Sequence, residues 1–249
     1  MKLEIGQTFI NNEGCIGTIV DIKHRNEVYV VFNDYMEPKK CQFGNIKSGE
    51  VKNPYHPSVC GVGYLGQGPY KACERKQNGK VQQTKCYEKW QAMLQRCYDA
   101  EFHDRYPTYK KCRVCKEWHN FQNFAEWFYN NYYEVPGCKM ELDKDILNAN
   151  NTIYGPDTCV FVPKDINILF EKGSRKRITT GVTTYGKRFR AKLGKIVIGV
   201  YDNEYDAWLA YKNFKTHYII DVISEQYKSY IPHNLYIALK NYNYDMYDN

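Results

Sequence analysis

The side chains with the most evident chemistry lie in one stretch, from Glu141 to Asn167. It opens with three acids and a lysine within five positions, Glu141, Asp143, Lys144 and Asp145. Carboxylate and amide oxygens suit Mg²⁺, which keeps several waters and takes only one or two protein ligands. We therefore predict a site for Mg²⁺, or for Mn²⁺, with Asp143 and Asn167 as its ligands. The alternative is an ordinary solvated charged turn, because such short patterns are permissive.

The residues between these two ligands predict a strand, a loop, a second strand and a helix. Short polar side chains at 148–151 favour a turn. The apolar run CVFV at 159–162 predicts a strand, and Pro163 fits the first turn of a helix over residues 164–170. A two-stranded ribbon packed on that helix brings the two predicted ligands together at its open end.

This stretch resembles the ββα-metal core of the HNH homing endonucleases of phages, whose pattern is Asp-His, a loop with Asn, and a helix that carries Asn. Asp143 matches the first metal ligand of that pattern, and Asn167 matches the Asn of the helix. Lys144 stands where the family has its general-base His, and Thr158 where it has the Asn that orients this His. The resemblance implies metal-dependent hydrolysis of phosphodiester bonds in double-stranded DNA. It leaves either Lys144 or Asp145 as the base, since an unperturbed lysine, with a pKa near ~10.4, is a poor base at neutral pH.

Positive charge is concentrated in one part of the chain. The formal net charge is +7, and the stretch from Glu171 to Lys195 holds nine basic residues and one acid. A localised basic segment is typical of a surface that binds nucleic acid, although an acidic protein partner fits the same signal. The segment begins with a basic linker at 172–178, in which the predicted DNA-binding residues are Arg175, Lys176 and Arg177.

Three strands are predicted after this linker, over residues 180–185, 187–193 and 195–201, with Gly186 and Gly194 in the two turns. Alternation along the middle strand places its basic residues on one face and its apolar residues on the other. Asp202-Asn203-Glu204 then predicts the start of a helix whose apolar side covers the sheet.

This pattern is similar to the APETALA-type domain of plant ethylene-response factors, which also occurs at the C-terminus of phage HNH homing endonucleases. The resemblance covers about residues 179–218. It implies that the sheet enters the major groove of DNA, where arginine commonly reads guanine and lysine mainly contacts phosphates. The alternative is an exposed polar sheet face. The residues predicted to contact DNA, or to lie next to those that do, are Thr183, Tyr185, Lys187, Arg188, Arg190, Lys192 and Lys195.

The N-terminal part predicts a small β module followed by an irregular segment. Residues 15–22 and 27–32 alternate as strands around a polar turn, and five short strands in residues 1–52 fit an SH3-like barrel. Residues 53–85 contain five glycines and three prolines, which predicts a linker or an extended arm. The GxGxxG string at 61–66 lacks a strand-turn-helix context, so we interpret it as irregular backbone and not as a nucleotide loop.

Two helices are predicted next, from Cys86 and over about 120–132, each with an apolar stripe that indicates a core. Between them, Cys112 and Cys115 form a CxxC pair. A structural Zn²⁺ needs four ligands and no second tight pair is present, so buried thiols are the alternative to zinc. We expect a reducing compartment to keep most of the ten cysteines as thiols.

Together these patterns predict a multidomain α+β chain that acts as a DNA-binding, metal-dependent HNH-type endonuclease. The start of the chain has no apolar signal region and no run approaches the ~20 apolar residues of a membrane span, so we expect the cytoplasm of a bacterial host and no membrane partner. Two other functions stay open: a DNA-binding protein that no longer cuts, and a phage protein that binds a host protein to block a defence factor. The predicted parts are an SH3-like β-barrel module at 1–52, a linker or arm at 53–85, an HNH-like nuclease domain at 86–171, a basic linker at 172–178, and an APETALA-type DNA-binding domain with C-terminal helices at 179–249.

Overall fold

The structure is a computed structural model that describes residues 3–33, 35–171 and 180–247. It combines helices with small antiparallel sheets, as the predicted α+β class requires. The chain divides into two compact units, residues 1–130 (unit 1) and residues 131–249 (unit 2). This boundary falls inside the predicted nuclease segment 86–171. The finer division into named domains remains a prediction.

Unit 1 begins with a four-stranded antiparallel sheet in the order β1-β2-β3-β4, followed by a short helix. Alternating apolar residues of the two longer strands pack with the helix into a small core of Ile19, Val28, Val30, Ile46 and Val51. The two long predicted strands are present, whereas the fifth strand is absent from the described residues of this module. Its place is taken by α1, which buries Ile46. The elements are β1 (Thr8–Ile10), β2 (Ile16–His24), β3 (Glu27–Val31), β4 (Lys39–Cys41) and α1 (Phe43–Lys47).

The segment 53–85 is packed against the helices of unit 1 and differs from an extended arm. It contains a hairpin of β5 (Cys73–Arg75) and β6 (Val81–Gln83). The backbone N–H of Tyr64 donates to the carbonyl of His119 at 2.9 Å, and the same residue's carbonyl accepts from Phe121. Gly63 lies against the side chains of Trp90 and Leu94, where a larger residue would not fit. Small residues here permit close packing.

The predicted helices of unit 1 are confirmed, with their apolar stripes in the core. Thr84 caps the first helix by accepting from the backbone N–H of Tyr87 at 3.2 Å. Its buried face includes Trp90, whose indole N–H donates to the carbonyl of Trp118 at 2.7 Å. The elements are α2 (Lys85–Tyr98), α3 (Ala100–Arg105), a 3₁₀ turn (Pro107–Lys111), β7 (Arg113–Val114), a 3₁₀ turn (Lys116–His119) and α4 (Phe121–Asn131).

Unit 2 opens with the predicted strand-loop-strand-helix order. The strands β8 (Met140–Asp143) and β10 (Val160–Pro163) pair antiparallel, and α5 (Lys164–Phe170) packs on both of them. The short strand β9 (Ile153–Tyr154) lies in the connecting loop. Pro163 ends the second strand and is the N-cap residue of the helix, which spans the predicted residues 164–170.

The predicted three-stranded sheet and its helix follow in unit 2. The strands β11 (Val182–Tyr185), β12 (Arg188–Leu193) and β13 (Ile196–Tyr201) are antiparallel in that order. Gly186 and Gly194 have φ of 62° and 57°, as tight turns between strands require. The helix α6 (Glu204–His217) begins at Asn203, whose side chain accepts from the N–H of Asp206, and buries Ala207 and Tyr211 against the sheet.

The remainder of unit 2 is helical. A π-helical turn (Tyr218–Ile223) leads to α7 (Ser224–Tyr227), α8 (His233–Lys240) and α9 (Tyr244–Tyr247). The last of these packs on α6: the Tyr244 ring lies 6.2 Å from that of Trp208, and Lys212 pairs with Asp245 at 2.7 Å. No helix in the described ranges is both long and apolar enough to cross a bilayer.

Candidate functional site

The candidate metal ligands lie on the ribbon formed by β8 and β10. On β8, Glu141 and Asp143 share one half-buried face, while Met140 and Leu142 point into the core. Packing of α5 against both strands fixes this face relative to the helix. The strand alternation therefore places two carboxylates on the same side of the ribbon.

Asn167, on α5, is held by one of these carboxylates. Its side-chain Nδ2 donates to Oε2 of Glu141 at 2.7 Å. This bond uses the amide nitrogen, so the amide oxygen is the atom that could face a metal. The sequence paired Asn167 with Asp143; in the structure the Asn167 amide bonds to Glu141 instead, a residue that sequence reasoning did not select. Glu141 could have been found from its position two residues before Asp143, because alternate residues of a strand lie on the same face. We call Glu141, Asp143 and Asn167 the ribbon site.

Asp143 ends its strand in a tight turn. Its Oδ1 accepts from the backbone N–H groups of Asp145 and Ile146, both at 2.7 Å. Burial, together with the charge of Asp145, raises the pKa of Asp143 to about 6, despite the lowering effect of the two backbone hydrogen bonds and of Lys144. At neutral pH the carboxylate is therefore ionised but poorly solvated, which favours a cation beside it.

The two candidate bases of the sequence analysis are bonded to each other. The Nζ of Lys144 lies 2.6 Å from Oδ1 of Asp145 and donates to the carbonyl of Asn151 at 2.9 Å. The Lys144 side chain is only 9% exposed, against 43% for that of Asp145. Lys144 thus stabilises the loop after β8 by bonding to two of its residues, Asp145 and Asn151. Thr158, at the position predicted to match the middle Asn of the HNH pattern, donates its hydroxyl to the carbonyl of Ile153 at 2.8 Å.

The helix α9 borders the same loop. The hydroxyl of Tyr247 donates to the carbonyl of Ile146 at 2.9 Å, and Nδ2 of Asn150 donates to the carbonyl of Met246. Burial raises the pKa of Tyr247, and the charges of Asp143 and Asp145 add to that shift. These contacts join residues about a hundred positions apart, so no local pattern could have shown them.

The predicted DNA-contacting residues of β12 have distinct surroundings. The guanidinium of Arg188 is exposed and pairs with Asp202 at 2.8 Å. That of Arg190 lies 5.0 Å from the centre of the Tyr185 ring, and its buried Nε has no hydrogen-bond partner among the described residues. The pairing register shifts between Ala191 and Lys192, where the facing strand β13 carries one extra residue, Ile198.

The other basic residues of this sheet lie at its turns. Lys187 and Lys195 are exposed beside Gly186 and Gly194, and Lys192 is half-buried. The sheet therefore carries cations along its middle strand and at both turns. The predicted contacts Arg175, Lys176 and Arg177 lie outside the described residues.

Within the described ranges, Cys112 and Cys115 do not belong to a group of three or more converging metal-ligand side chains. Cys112 is buried, and burial raises the pKa of the half-buried Cys115. In the same ranges, the group of three Cys, His, Asp or Glu side chains whose ligand atoms converge consists of Glu13, Cys15 and His56. Sequence reasoning missed this group, because His56 is 41 positions away from Cys15 and the three residues form no known motif.

Comparison of the chain with models of protein families, with curated proteins and with solved structures gives no match.

Proposed function

We propose that this protein is a divalent-metal-dependent endonuclease that hydrolyses phosphodiester bonds in double-stranded DNA. The observation that carries the proposal is the ribbon site, where a strand acid and a helix amide are fixed on one ribbon-helix unit. The oxygen donors of Asp143 and Asn167 fit Mg²⁺ or Mn²⁺, which prefer oxygen ligands. Such an ion, when bound, stabilises the charge that develops on the phosphate during hydrolysis.

Each residue of this unit has a proposed role. Asp143 and Asn167 bind the metal, and Glu141 orients the amide of Asn167. Asp145 accepts the proton of the attacking water, because its carboxylate is the more accessible member of the pair with Lys144. Lys144 positions that carboxylate. A bound metal would make the attacking water more acidic, so that the carboxylate of Asp145 would suffice as its base.

The sheet β11–β13 is the proposed DNA-binding surface. Arg190 supports this assignment, because a buried donor without a partner is costly unless a ligand satisfies it. Stacking on Tyr185 restricts the guanidinium, which suits directional contacts to base edges. The exposed Lys187 and Lys195 suit contacts to phosphates.

The second candidate function is DNA binding without cleavage. The specific observation in its favour is the ion pair between Lys144 and Asp145, which occupies both candidate bases. The same basic sheet would bind DNA in either case. The two functions differ only in whether the ribbon site hydrolyses the bound strand.

The test is cleavage of phage and host genomic DNA by the purified chain with Mg²⁺ or Mn²⁺. Asp143→Ala and Asn167→Ala should abolish cutting, whereas Asp157→Asn, at an exposed acid of the same loop, should retain it. No cutting with either metal, together with intact salt-sensitive DNA binding, would leave the second function. Cutting that survives both alanine variants would refute the assignment of the ribbon site.

DNA binding itself is tested by the dependence of affinity on salt. The logarithm of the affinity should fall linearly with the logarithm of the salt concentration, and Lys187→Ala should reduce the slope by about 0.9 for one lost phosphate contact. Lys80→Ala, at an exposed lysine of unit 1, is the matched control and should leave the slope unchanged. A salt-independent affinity would contradict the proposed surface.

A further inference from the structure

A second group of metal-ligand side chains lies in unit 1. Glu13 and Cys15 belong to the turn that joins β1 to β2, and His56 belongs to the segment after the sheet. The carboxylate oxygen, the sulfur and the ring nitrogen of these residues all lie within 4.8 Å of one another. The closest contact joins Sγ of Cys15 to Nδ1 of His56 at 3.4 Å.

The separation of the sulfur and the ring nitrogen matches a tetrahedral zinc site. With Zn–S near 2.3 Å and Zn–N near 2.0–2.1 Å, a tetrahedral angle places sulfur and nitrogen about 3.5 Å apart. A donor set of sulfur, imidazole nitrogen and one carboxylate oxygen is borderline-soft, which favours Zn²⁺ over Mg²⁺. We propose that Glu13, Cys15 and His56, the hairpin site, bind Zn²⁺ with water in the fourth position.

The turn that carries two of these ligands is preorganised by a buried residue. Oδ1 of Asn11 accepts from the backbone N–H groups of Glu13 and Cys15, at 3.0 and 2.8 Å. Its Nδ2 donates to the carbonyl of Val51 at 3.1 Å and to Oε2 of Glu13 at 3.3 Å. Gly14, between the ligands, has a φ of 77°, a conformation that glycine adopts without strain. A preformed turn reduces the ordering cost of binding a metal.

The third ligand is positioned by its own chain segment. The backbone N–H of His56 donates to the carbonyl of Asn53 at 3.2 Å, and its carbonyl accepts from Ser58 at 2.8 Å. The ring is half-buried, as are Glu13 and Cys15, so the ligand atoms remain within reach of solvent. A metal has an entry path to all three.

The charge of the site is suited to a cation. Glu13 contributes a carboxylate, and Nζ of Lys52 lies 2.9 Å from its Oε1, where it competes with a metal for this ligand. A bound zinc ion would replace that contact and cross-link the turn to residue 56, which stabilises the folded state by mass action.

Cobalt and zinc titrations of the full-length protein test the proposal, after metals have been removed with a chelator. Cobalt is a spectroscopic probe, because a cysteine thiolate ligand gives a charge-transfer absorption. We expect one equivalent of Co²⁺ to produce this absorption, Zn²⁺ to displace it, and Zn²⁺ to raise the melting temperature. Cys15→Ala should remove the absorption, and His56→Gln should weaken Zn²⁺ binding by more than about 100-fold, beyond the usual effect of an indirect partner of a ligand.

Two control variants separate this site from the other thiols. Cys73→Ala removes an exposed thiol and Cys115→Ala removes the CxxC pair; both should leave the absorption and the zinc affinity unchanged. Loss of the absorption in Cys115→Ala but not in Cys15→Ala would overturn the assignment. So would a full-length protein that binds no Co²⁺ or Zn²⁺. These readouts involve no DNA, so they succeed or fail independently of the endonuclease proposal.

Discussion

The ribbon site and the hairpin site are built around the same kind of turn, but the residue that fixes the turn has a different role in each. In both, the side-chain oxygen of an Asp or Asn accepts two backbone N–H groups of the following residues and so fixes a turn. In the ribbon site the residue that accepts these bonds, Asp143, is itself the proposed ligand and keeps only one oxygen for a metal. In the hairpin site the corresponding residue, Asn11, is a scaffold that presents two other side chains. The first arrangement offers hard oxygen donors, and the second offers sulfur and nitrogen as well.

The largest expected effect is that each of two substitutions strongly impairs the function of one site and leaves that of the other unchanged. Asp143→Asn keeps the turn but removes the charge, and should lower Mg²⁺-dependent cleavage by at least about 100-fold, as loss of a key electrostatic group does. Cys15→Ser should leave the cleavage rate unchanged while removing the cobalt-thiolate absorption. Initial rates and absorption spectra of both variants provide the measurement. Cleavage lost in both variants would show that the two sites depend on each other.

The second prediction is the pH dependence of the apo protein. Folding raises the pKa of Asp143 from 3.8 to about 6. The folded state therefore disfavours the ionised carboxylate, and the free energy of unfolding falls as pH rises from about 4 to about 6. With a chelator present, the stability advantage of Asp143→Asn over the unsubstituted chain should grow by about 2 kcal/mol between pH 4.5 and pH 7.5. Urea unfolding at both pH values measures it. A constant difference would show that burial does not perturb the ionisation of Asp143.

A smaller effect is expected from Lys144→Met, which preserves the apolar stem but removes the ammonium. The carbonyl of Asn151 then lacks its donor, and Asp145 loses its partner, so stability should fall by about 1–2 kcal/mol in urea unfolding. Lys40→Met, which breaks an exposed ion pair with Glu27 in unit 1, is the control and should leave stability nearly unchanged. Equal effects of the two variants would mean that burial adds nothing to the Lys144 pair.

The smallest effect concerns Lys52, the competitor of the hairpin site. Lys52→Met should raise zinc affinity about three- to tenfold, because a solvent-exposed ammonium near the ligand repels the ion and occupies Oε1 of Glu13. Competition with a chelator of known affinity measures the change. A fall in affinity would instead assign Lys52 the task of holding the carboxylate in place.

The elements of both units were largely predictable, because local patterns determine them. The apolar stripe of Trp90, Met93, Leu94 and Cys97 indicated α2, and the glycines at 186 and 194 marked the turns of the C-terminal sheet. The candidate sites were predictable only in part. The bond from Asn167 to Glu141 depends on how the helix packs on its ribbon, which no local pattern specifies.

Long-range contacts account for what the sequence did not reveal. Cys15 and His56 are 41 positions apart, and Tyr247 meets Ile146 across 101 positions. Neither pair has a spacing that a known motif requires. The ion pair of Lys144 with its neighbour depends on a rotamer choice, which the loop and the carbonyl of Asn151 decide.

The tryptophans are distributed so that fluorescence can report on the two units separately. Three of the four tryptophans, at positions 90, 118 and 127, belong to unit 1, and Trp208 belongs to unit 2. Its ring lies near Tyr244 on α9, whose Tyr247 bonds to the loop after Asp143. Emission from Trp208 therefore reports on the packing around the C-terminal helix, whereas emission from the other three reports on the helical core of unit 1.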